Sequence, residues 1–387
     1  MPDAVALQNI FSPGYIVSLI IFTAIYALFS LGLNLQWGFT GLINFGHVAF
    51  MTVGAYTTVL LSIQGLPIVL ATLIGAAIAA LLGLLLGATT LRLREDYLSI
   101  VTIGASEVIR LIALNEEWLT RGALGVPIAA QYLPLGLLTR PTLPTRIGMV
   151  IWWTVLFLIA GRQLWHWVKR GRDRPAKPLP QNTTIRRDRL IWGVVTAVSG
   201  LFLYVIGAIA IMDYARYGYK VGLMLLLVTV LTFVYWRLEV SLKAPWGRVL
   251  KSIREDEQVA KALGKNVFWY KLQSLMLGGA IAGIAGAFYA WNLTFINPDG
   301  FIPLITFQAW IIVVLGGSGN NAGTLLGAVI FWLYSTVTRF ALPAIVPLDD
   351  ARLGALRIMV IGLLLIILMM MRPQGILGNK EELTLGR

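Results

Sequence analysis

The stretch 67–91 of this chain, PIVLATLIGAAIAALLGLLLGATTL, carries no charge, and its only polar side chains are three threonines. A helix of that length crosses the roughly 30 Å hydrocarbon core of a bilayer. Similar apolar runs recur at 15–35, 41–61, 97–114, 148–168, 191–211, 217–236, 269–291, 302–316, 321–341 and 353–371, making eleven in all. Backbone groups in hydrocarbon must pair within their own segment, so these runs are expected to be helices. They lack the strict alternation of an outer-membrane barrel. The predicted fold class is an all-α polytopic membrane protein of about 10–11 membrane helices, including short Gly-interrupted segments, in a single domain over 1–387. The N-terminus has no basic region and no small-residue cleavage site, so the first span is expected to stay in place.

Composition closes other routes. The chain is 58 % hydrophobic and 13 % charged, about half the charge of a typical soluble domain. An ordinary soluble enzyme is excluded. With no cysteine there is no disulfide, iron–sulfur cluster or thiol nucleophile. Two histidines, His47 and His166, cannot build a multi-histidine site, so no metal is expected. The formal net charge of +13 sits in loops between apolar spans, which argues for cytoplasmic loops and against nucleic acid.

Those loops set the orientation. The stretch 162–189 holds nine Lys and Arg and 237–271 holds eight, together 17 of the chain's 31. Both are expected in the cytoplasm. Counting outward puts Arg92, Arg94 and the C-terminal tail (Arg372, Lys380, Arg387) inside, and the N-terminus and the 115–147 loop outside.

Two apolar segments are unusual. Residues 34–54 read NLQWGFTGLINFGHVAFMTVG, and 315–327 read LGGSGNNAGTLLG. Glycine interruptions in corresponding segments mark broken helices near a midplane site; equally, small residues permit close helix packing. On the first reading the substrate path takes in Asn34, Gly38, Gly41, Asn44, Gly46, His47, Gly316, Gly317, Gly319 and Gly323. His47 reads as a helix-packing, hydrogen-bonding residue more than as a ligand for substrate or proton. Bulky substitution at Gly41 or Gly317 is expected to block uptake, and replacing Gly75, in the uninterrupted 67–91 run, to be milder if that glycine serves only packing. Intramembrane charge is scarce: Glu107 and Arg110, three apart, can pair on one helix face. That pair is structural, or one member meets a zwitterionic substrate.

The stretch 247–266, GRVLKSIREDEQVAKALGKN, is too charged to span. Val249, Leu250, Ile253, Val259, Ala260 and Leu263 fall at helical spacing opposite Lys251, Arg254, Glu255 and Lys261. One amphipathic helix over 247–264 is expected, with Gly264 as its C-terminal cap. The acidic run Glu255–Asp256–Glu257 favours a protein partner over anionic headgroups.

Glu257, Ala260 and Gly264 stand in an E-x-x-A-x-x-x-G pattern that resembles the cytoplasmic coupling loop of ABC importer permeases. The surrounding sequence is similar to the M-type permease subunit of branched-chain amino-acid importers. So are GLNLQWGFTGLINFGHVAFMTVGAY (32–56), LRLREDYLSIVTIGASEVIRL (91–111), VVLGGSGNNAGTLLGAVI (313–330) and RPQGILG (372–378). The resemblance covers most of 15–135 and 217–378. Residues 140–213 have no counterpart in it; they read as an inserted pair of spans around a basic cytoplasmic loop, whose role is positive-inside anchoring or contact with anionic lipid.

The resemblance implies a bacterial inner-membrane permease moving branched-chain or other neutral amino acids by alternating access. It makes 244–266 the coupling helix, with Glu257, Ala260 and Gly264 facing an ATPase. The implied partners are a homologous second permease, two ABC ATPase subunits, an extracytoplasmic amino-acid-binding protein and the lipid bilayer. No G-x-x-x-x-G-K-[ST] loop occurs, so no cofactor is expected on this chain; ATP and Mg belong to the ATPase subunits, and the chain is not an enzyme. The rival readings are an ABC permease for urea or another small polar solute, and an ion-coupled secondary transporter.

Overall fold

The computed structural model describes residues 12–92, 95–134, 141–170, 200–201, 204–213, 219–345, 349–371 and 374–378. The expected basic loop beyond residue 170, the first part of the 191–211 span, Arg94, Arg372 and the tail beyond 378 lie outside the described residues.

The long elements are helices: α1 (Pro13–Leu33), α2 (Val48–Ile63), α3 (Ile68–Thr90), α4 (Glu95–Asn115), α5 (Leu143–Arg170), α6 (Tyr219–Lys243), α7 (Pro245–Glu255), α8 (Glu257–Ala262), α9 (Val267–Leu293), α10 (Leu304–Gly316), α11 (Asn321–Ile345) and α12 (Asp350–Met371). Among the described residues nine helices are long and apolar enough to cross a membrane, and α2 is a shorter apolar helix. The protein is an all-α polytopic membrane protein, as its hydropathy predicts. Among the described residues the sheet is one two-residue ladder, β1 (Val126–Pro127) against β2 (Phe295–Ile296), antiparallel.

The chain divides into two compact units, Met1–Ile20 with Leu137–Thr229, and Ile21–Gly136 with Val230–Arg387. Residues 140–213, the expected insertion, fall in the first. There α5 packs on residues 204–212 through an aromatic seam. Trp153 Nε1 donates to the Tyr204 carbonyl at 3.1 Å, and the Phe157 and Tyr204 rings lie 4.8 Å apart.

The second unit is built around α9, which shares with α1 the deepest burial among the spans. Helices α2, α3 and α9 are apolar on every side, so hydrophobicity alone gives no preferred contact face. Small residues choose it instead. A Cβ at Gly283 would lie 2.8 Å from the Ala79 Cβ, and one at Gly83 would lie 3.0 Å from the Leu275 carbonyl oxygen. Gly75 belongs to the same packing: a Cβ there would lie 2.7 Å from Thr58 Oγ1 and 2.9 Å from the Gly54 carbonyl oxygen. Gly75 thus serves helix packing, the condition under which its substitution is expected to affect uptake less than changes at Gly41 or Gly317. An uninterrupted helix can still be pressed against its neighbour.

Two sequence expectations change at element boundaries. The expected span 41–61 begins only at Val48, because residues 39–47 are not helical. The single helix expected over 247–264 is two helices, α7 and α8, parted at Asp256. Asp256 is extended (φ −154°, ψ 109°), and its carboxylate accepts from the amides of Gln258 and Val259 at 2.8 and 3.1 Å. The acidic run thus supplies an N-cap, which ends one helix and starts the next.

Candidate functional site

Both Gly-rich segments break their helices, in different ways. The first passes from α1 into a π-helical turn at Asn34–Gly38 and then into nine non-helical residues. Such turns inside helices concentrate at functional places. Non-helical backbone at membrane depth must find partners within the protein, and here side chains supply them. Thr40 Oγ1 donates to the Leu35 carbonyl at 3.0 Å, where Ser274 of α9 donates as well at 3.1 Å. Gln36 Nε2 donates to the Leu275 carbonyl at 3.1 Å, and its Oε1 accepts from Asn44 Nδ2 at 2.9 Å. Asn44 Oδ1 accepts from the Gly46 amide at 2.9 Å, and Trp310 Nε1 donates to the Asn44 carbonyl at 3.1 Å. Thr102 and Thr306 accept from the amides of Phe45 and Val48. Around this loop the Trp37, Phe45, Phe307 and Trp310 rings cluster, with Trp37 and Trp310 4.4 Å apart.

The second break is short. Helix α10 ends at Gly316, and α11 begins at Asn321. Gly317 (φ 109°) and Gly319 (φ 74°) turn the chain through left-handed backbone that other residues rarely adopt. The last carbonyls of α10 are taken by the 374–378 segment: the amides of Ile376 and Leu377 donate to Leu315 and Gly316 at 3.1 and 3.0 Å. Asn320 Nδ2 returns a bond to the Leu377 carbonyl at 2.8 Å. Sequence reading placed RPQGILG only as a family feature; the second half of that motif closes the end of α10.

The two breaks meet. Asn34 Nδ2 donates to Asn321 Oδ1 at 3.1 Å, and Asn34 Oδ1 accepts from the Gly319 amide at 3.0 Å. Asn321 Nδ2 in turn donates to Glu239 Oε1 at 3.2 Å, and Glu239 pairs with Lys243 at 2.7 Å. Glu239 was not among the expected site residues because the apolar run stops at 236, whereas α6 continues to Lys243. A cavity of about 160 Å3 opens at this junction, lined by Phe39, Glu239, Lys251, Ser318, Gly319 and Asn321, among others. Lys251 Nζ stands 5.7 Å from the centre of the Phe39 ring.

Of the ten expected path residues, Asn34, Gly38, Gly316, Gly317, Gly319 and Gly323 gather here. Gly38 and Gly319 lie so close that a Cβ on Gly38 would be 2.5 Å from the Gly319 amide nitrogen, and Gly316 and Gly323 press on each other's backbone. Gly319 alone of the ten lines the cavity. Gly41 (φ 80°) lies beside Arg254 of α7. The other three serve elsewhere: Asn44 within the 39–47 loop, Gly46 against the Thr102 backbone, and His47 against aromatic rings. His47 is fully buried; its Nε2 lies 3.2 Å from the Phe29 carbonyl oxygen, and its ring packs on Phe29 and Phe50.

Glu107 and Arg110 form the expected pair on α4, with Arg110 Nη2 2.5 Å from Glu107 Oε1. A third member was not foreseen: Asp299, on the turn Pro298–Gly300, lies 3.3 Å from Arg110 Nη1. Both expected partners are thus tied into a link between α4 and that turn.

Helices α7 and α8 pack on α9 through Ile253, Ala260 and Val267, with Val249 and Tyr270 against them. Ala260 is completely buried, so its small side chain fits the protein's own interior. The large apolar residues that α8 and its end leave exposed are Val259 and Leu263, 53 % and 70 % exposed. Glu257 bonds Lys261 at 2.8 Å and Lys271 at 2.6 Å. Burial opposes its charge, but the two lysines outweigh that and hold its carboxyl below the usual carboxylate range. Gly264 (φ 74°) takes the left-handed position after α8, and the Lys265 amide bonds back to the Ala260 carbonyl at 3.2 Å.

Comparison with known proteins gives this arrangement a setting. The family model described as "Branched-chain amino acid transport system / permease component" matches residues 15–369. The chain is 30 % identical over 356 residues to the high-affinity branched-chain amino acid transport system permease protein LivM of Escherichia coli (strain K12), covering 92 % of this chain and 68 % of that protein. It is 24 % identical over 383 residues to the probable branched-chain amino acid transport permease protein LivM of Methanocaldococcus jannaschii, covering 95 % and 94 %. A shorter likeness, 29 % over 137 residues, covers 35 % of this chain and 40 % of the permease protein LivH of the same E. coli strain. No solved structure matches the chain.

Proposed function

Because the chain belongs to the branched-chain amino acid transport permease family, we propose that it is the permease subunit of an ATP-driven importer carrying branched-chain or other neutral amino acids into the cytoplasm. The observation that carries the reading is the meeting of two interrupted helices, at Asn34–Gly319 and Asn34–Asn321, beside the α7–α8 pair. Interrupted helices can change their relative position without breaking a continuous hydrogen-bond ladder. The substrate path runs by the junction and its cavity, with Gly38, Gly316, Gly317, Gly319 and Gly323 allowing close approach. Gly41, Asn44, Gly46 and His47 hold the longer loop in shape. Alternating access follows when that junction shifts.

Coupling to ATP hydrolysis runs through α8. Its Val259 and Leu263, one turn apart, are the apolar pair open to a partner surface. Ala260 seats the helix, Glu257 locks it to α9 through Lys271, and Gly264 ends it. The reading places 237–271 and the C-terminus in the cytoplasm, and 115–147 outside. Its partners are a second, homologous permease, for which the likeness to LivH speaks, two ATPase subunits and an extracytoplasmic binding protein. An ion-coupled mechanism fits less well, because Glu107 and Glu239 are each committed to a cation, Arg110 and Lys243.

The test is reconstitution of the chain with those subunits in vesicles, followed by uptake of labelled leucine. Uptake that requires ATP and the binding protein supports the proposal. Accumulation by the chain alone under a proton or sodium gradient overturns it.

A further inference from the structure

Arg254 hydrogen-bonds the cytoplasmic helix pair to both interruptions. It lies in the last turn of α7, whose Leu250 and Ile253 are buried. Its Nη1 donates to the Gly38 carbonyl at 2.5 Å, and its Nη2 lies 3.5 Å from Ser318 Oγ. Gly38 is the last residue of the π-helical turn that ends the first span, where carbonyls lack partners within the helix and the helix dipole is negative. A guanidinium is well suited there, since its planar fork can serve two acceptors at once.

The glycines around it give independent support. A Cβ on Gly319 would stand 2.7 Å from Arg254 Nη1, and one on Gly41 would stand 3.7 Å from the Arg254 Cα and Cγ. Gly41 and Gly319 both have left-handed backbone. Glycines from the two segments, distant in sequence, therefore leave room for the same side chain. Asn34 joins the segments to each other; Arg254 joins both to α7.

We propose that Arg254 is a positioning residue that makes α7 and the two helix interruptions move as one body, so that displacement of α7–α8 shifts the junction directly. The proposal rests on the transport reading above. What it adds is the mechanical link and the residue that makes it.

Two experiments test it in the reconstituted complex. In the first, Arg254→Met is compared with Arg254→Lys and with Arg248→Met, a change elsewhere on α7. Arg254→Met is expected to keep its ATPase subunits and its melting temperature but to lower leucine transported per ATP about tenfold, the scale of one charge-assisted hydrogen bond. Arg254→Lys, which keeps a single donor, should recover part of the loss, and Arg248→Met should couple normally. Full coupling in Arg254→Met overturns the proposal, as does a parallel fall in assembly, melting temperature and transport.

In the second, spin labels at Glu255→Cys and at Ala322→Cys, in the first turn of α11, use the absence of native cysteine. With Arg254 in place, their separation should be the same in nucleotide-free and ATP-bound complexes; with Arg254→Met it should broaden. A change of about one helical turn between states in the otherwise native protein overturns the proposal. This readout needs no substrate. If leucine is not transported while the separation stays constant, the transport reading fails and the link stands.

Discussion

The two interruptions solve the same physical problem by opposite means. At 39–47 the chain is long, and its polar groups are met by side chains from other helices: Ser274, Thr102 and Trp310. At 317–320 it is short, and its geometry comes from glycines in left-handed backbone with a second stretch of backbone, 374–378, laid along it. The first is held by chemistry that a substitution can remove one bond at a time. The second is held by space, where any side chain collides. Sensitivity to mutation should therefore differ in kind between them, and that difference can be measured.

The largest effect is expected at the short break. Gly317→Leu combines a forbidden φ of 109° with a Cβ 2.6 Å from the Gly378 amide nitrogen. It should cost ~3 kcal/mol or more and abolish leucine uptake. Gly41→Leu in the long break carries the φ strain but meets nothing closer than 3.7 Å, so about half that loss is expected. Thermal unfolding of the two variants in detergent measures the gap; equal losses would break the comparison.

Next comes Asn34, which belongs to both regions. Asn34→Leu strands the Gly319 amide and the Asn321 side-chain oxygen, at a cost of about 2–4 kcal/mol for buried groups left unpaired. Denaturant unfolding should reveal it. A loss below about 1 kcal/mol would mean that the junction is not a shared element.

Gly75→Ala asks whether interruption matters at all. Its Cβ would crowd Thr58 and Gly54 on an unbroken helix, so stability should fall by about 1–3 kcal/mol. Uptake per correctly inserted molecule should nonetheless stay near that of the native chain. If uptake vanishes while the protein is intact, helix packing and interruption are equally central to transport.

The smallest effect is electrostatic and lies outside the bilayer. The Glu257 carboxyl is held below its ordinary pKa of 4.5, so its stabilisation is complete above that value and fades as pH falls through the folded one. The group is partly exposed, and screening leaves well under 1 kcal/mol. Glu257→Gln should lower the melting temperature slightly at pH 7, with the difference shrinking as the pH falls below 4.5. A difference that grows on acidification would contradict the Lys261 and Lys271 pairing.

Much of this protein could be read from local sequence. Uncharged runs gave the spans, because hydrocarbon rejects charge whatever the neighbours are. Glycine and Asn clusters gave the positions of both breaks, and a three-residue spacing gave the Glu107–Arg110 pair. Apolar spacing over 247–264 gave helical structure and its Gly264 end, but not the break at Asp256. Each of these signals is complete within about twenty residues.

What local sequence left undecided is which of those features share a place. Asn34 and Asn321 are 287 positions apart, and Arg254 and Gly38 are 216; no periodicity links them. Ala260 was misjudged for a related reason, since a small residue looks the same in sequence whether it leaves room for a partner or is pressed against its own chain. Asp299 and Glu239 took meaning only from the cations brought beside them. Hydropathy commits each segment to the membrane, but every span is apolar on most sides, so it cannot say which faces meet. Close backbone approach at glycine and the pairing of buried polar groups decide that, and both depend on the folded chain.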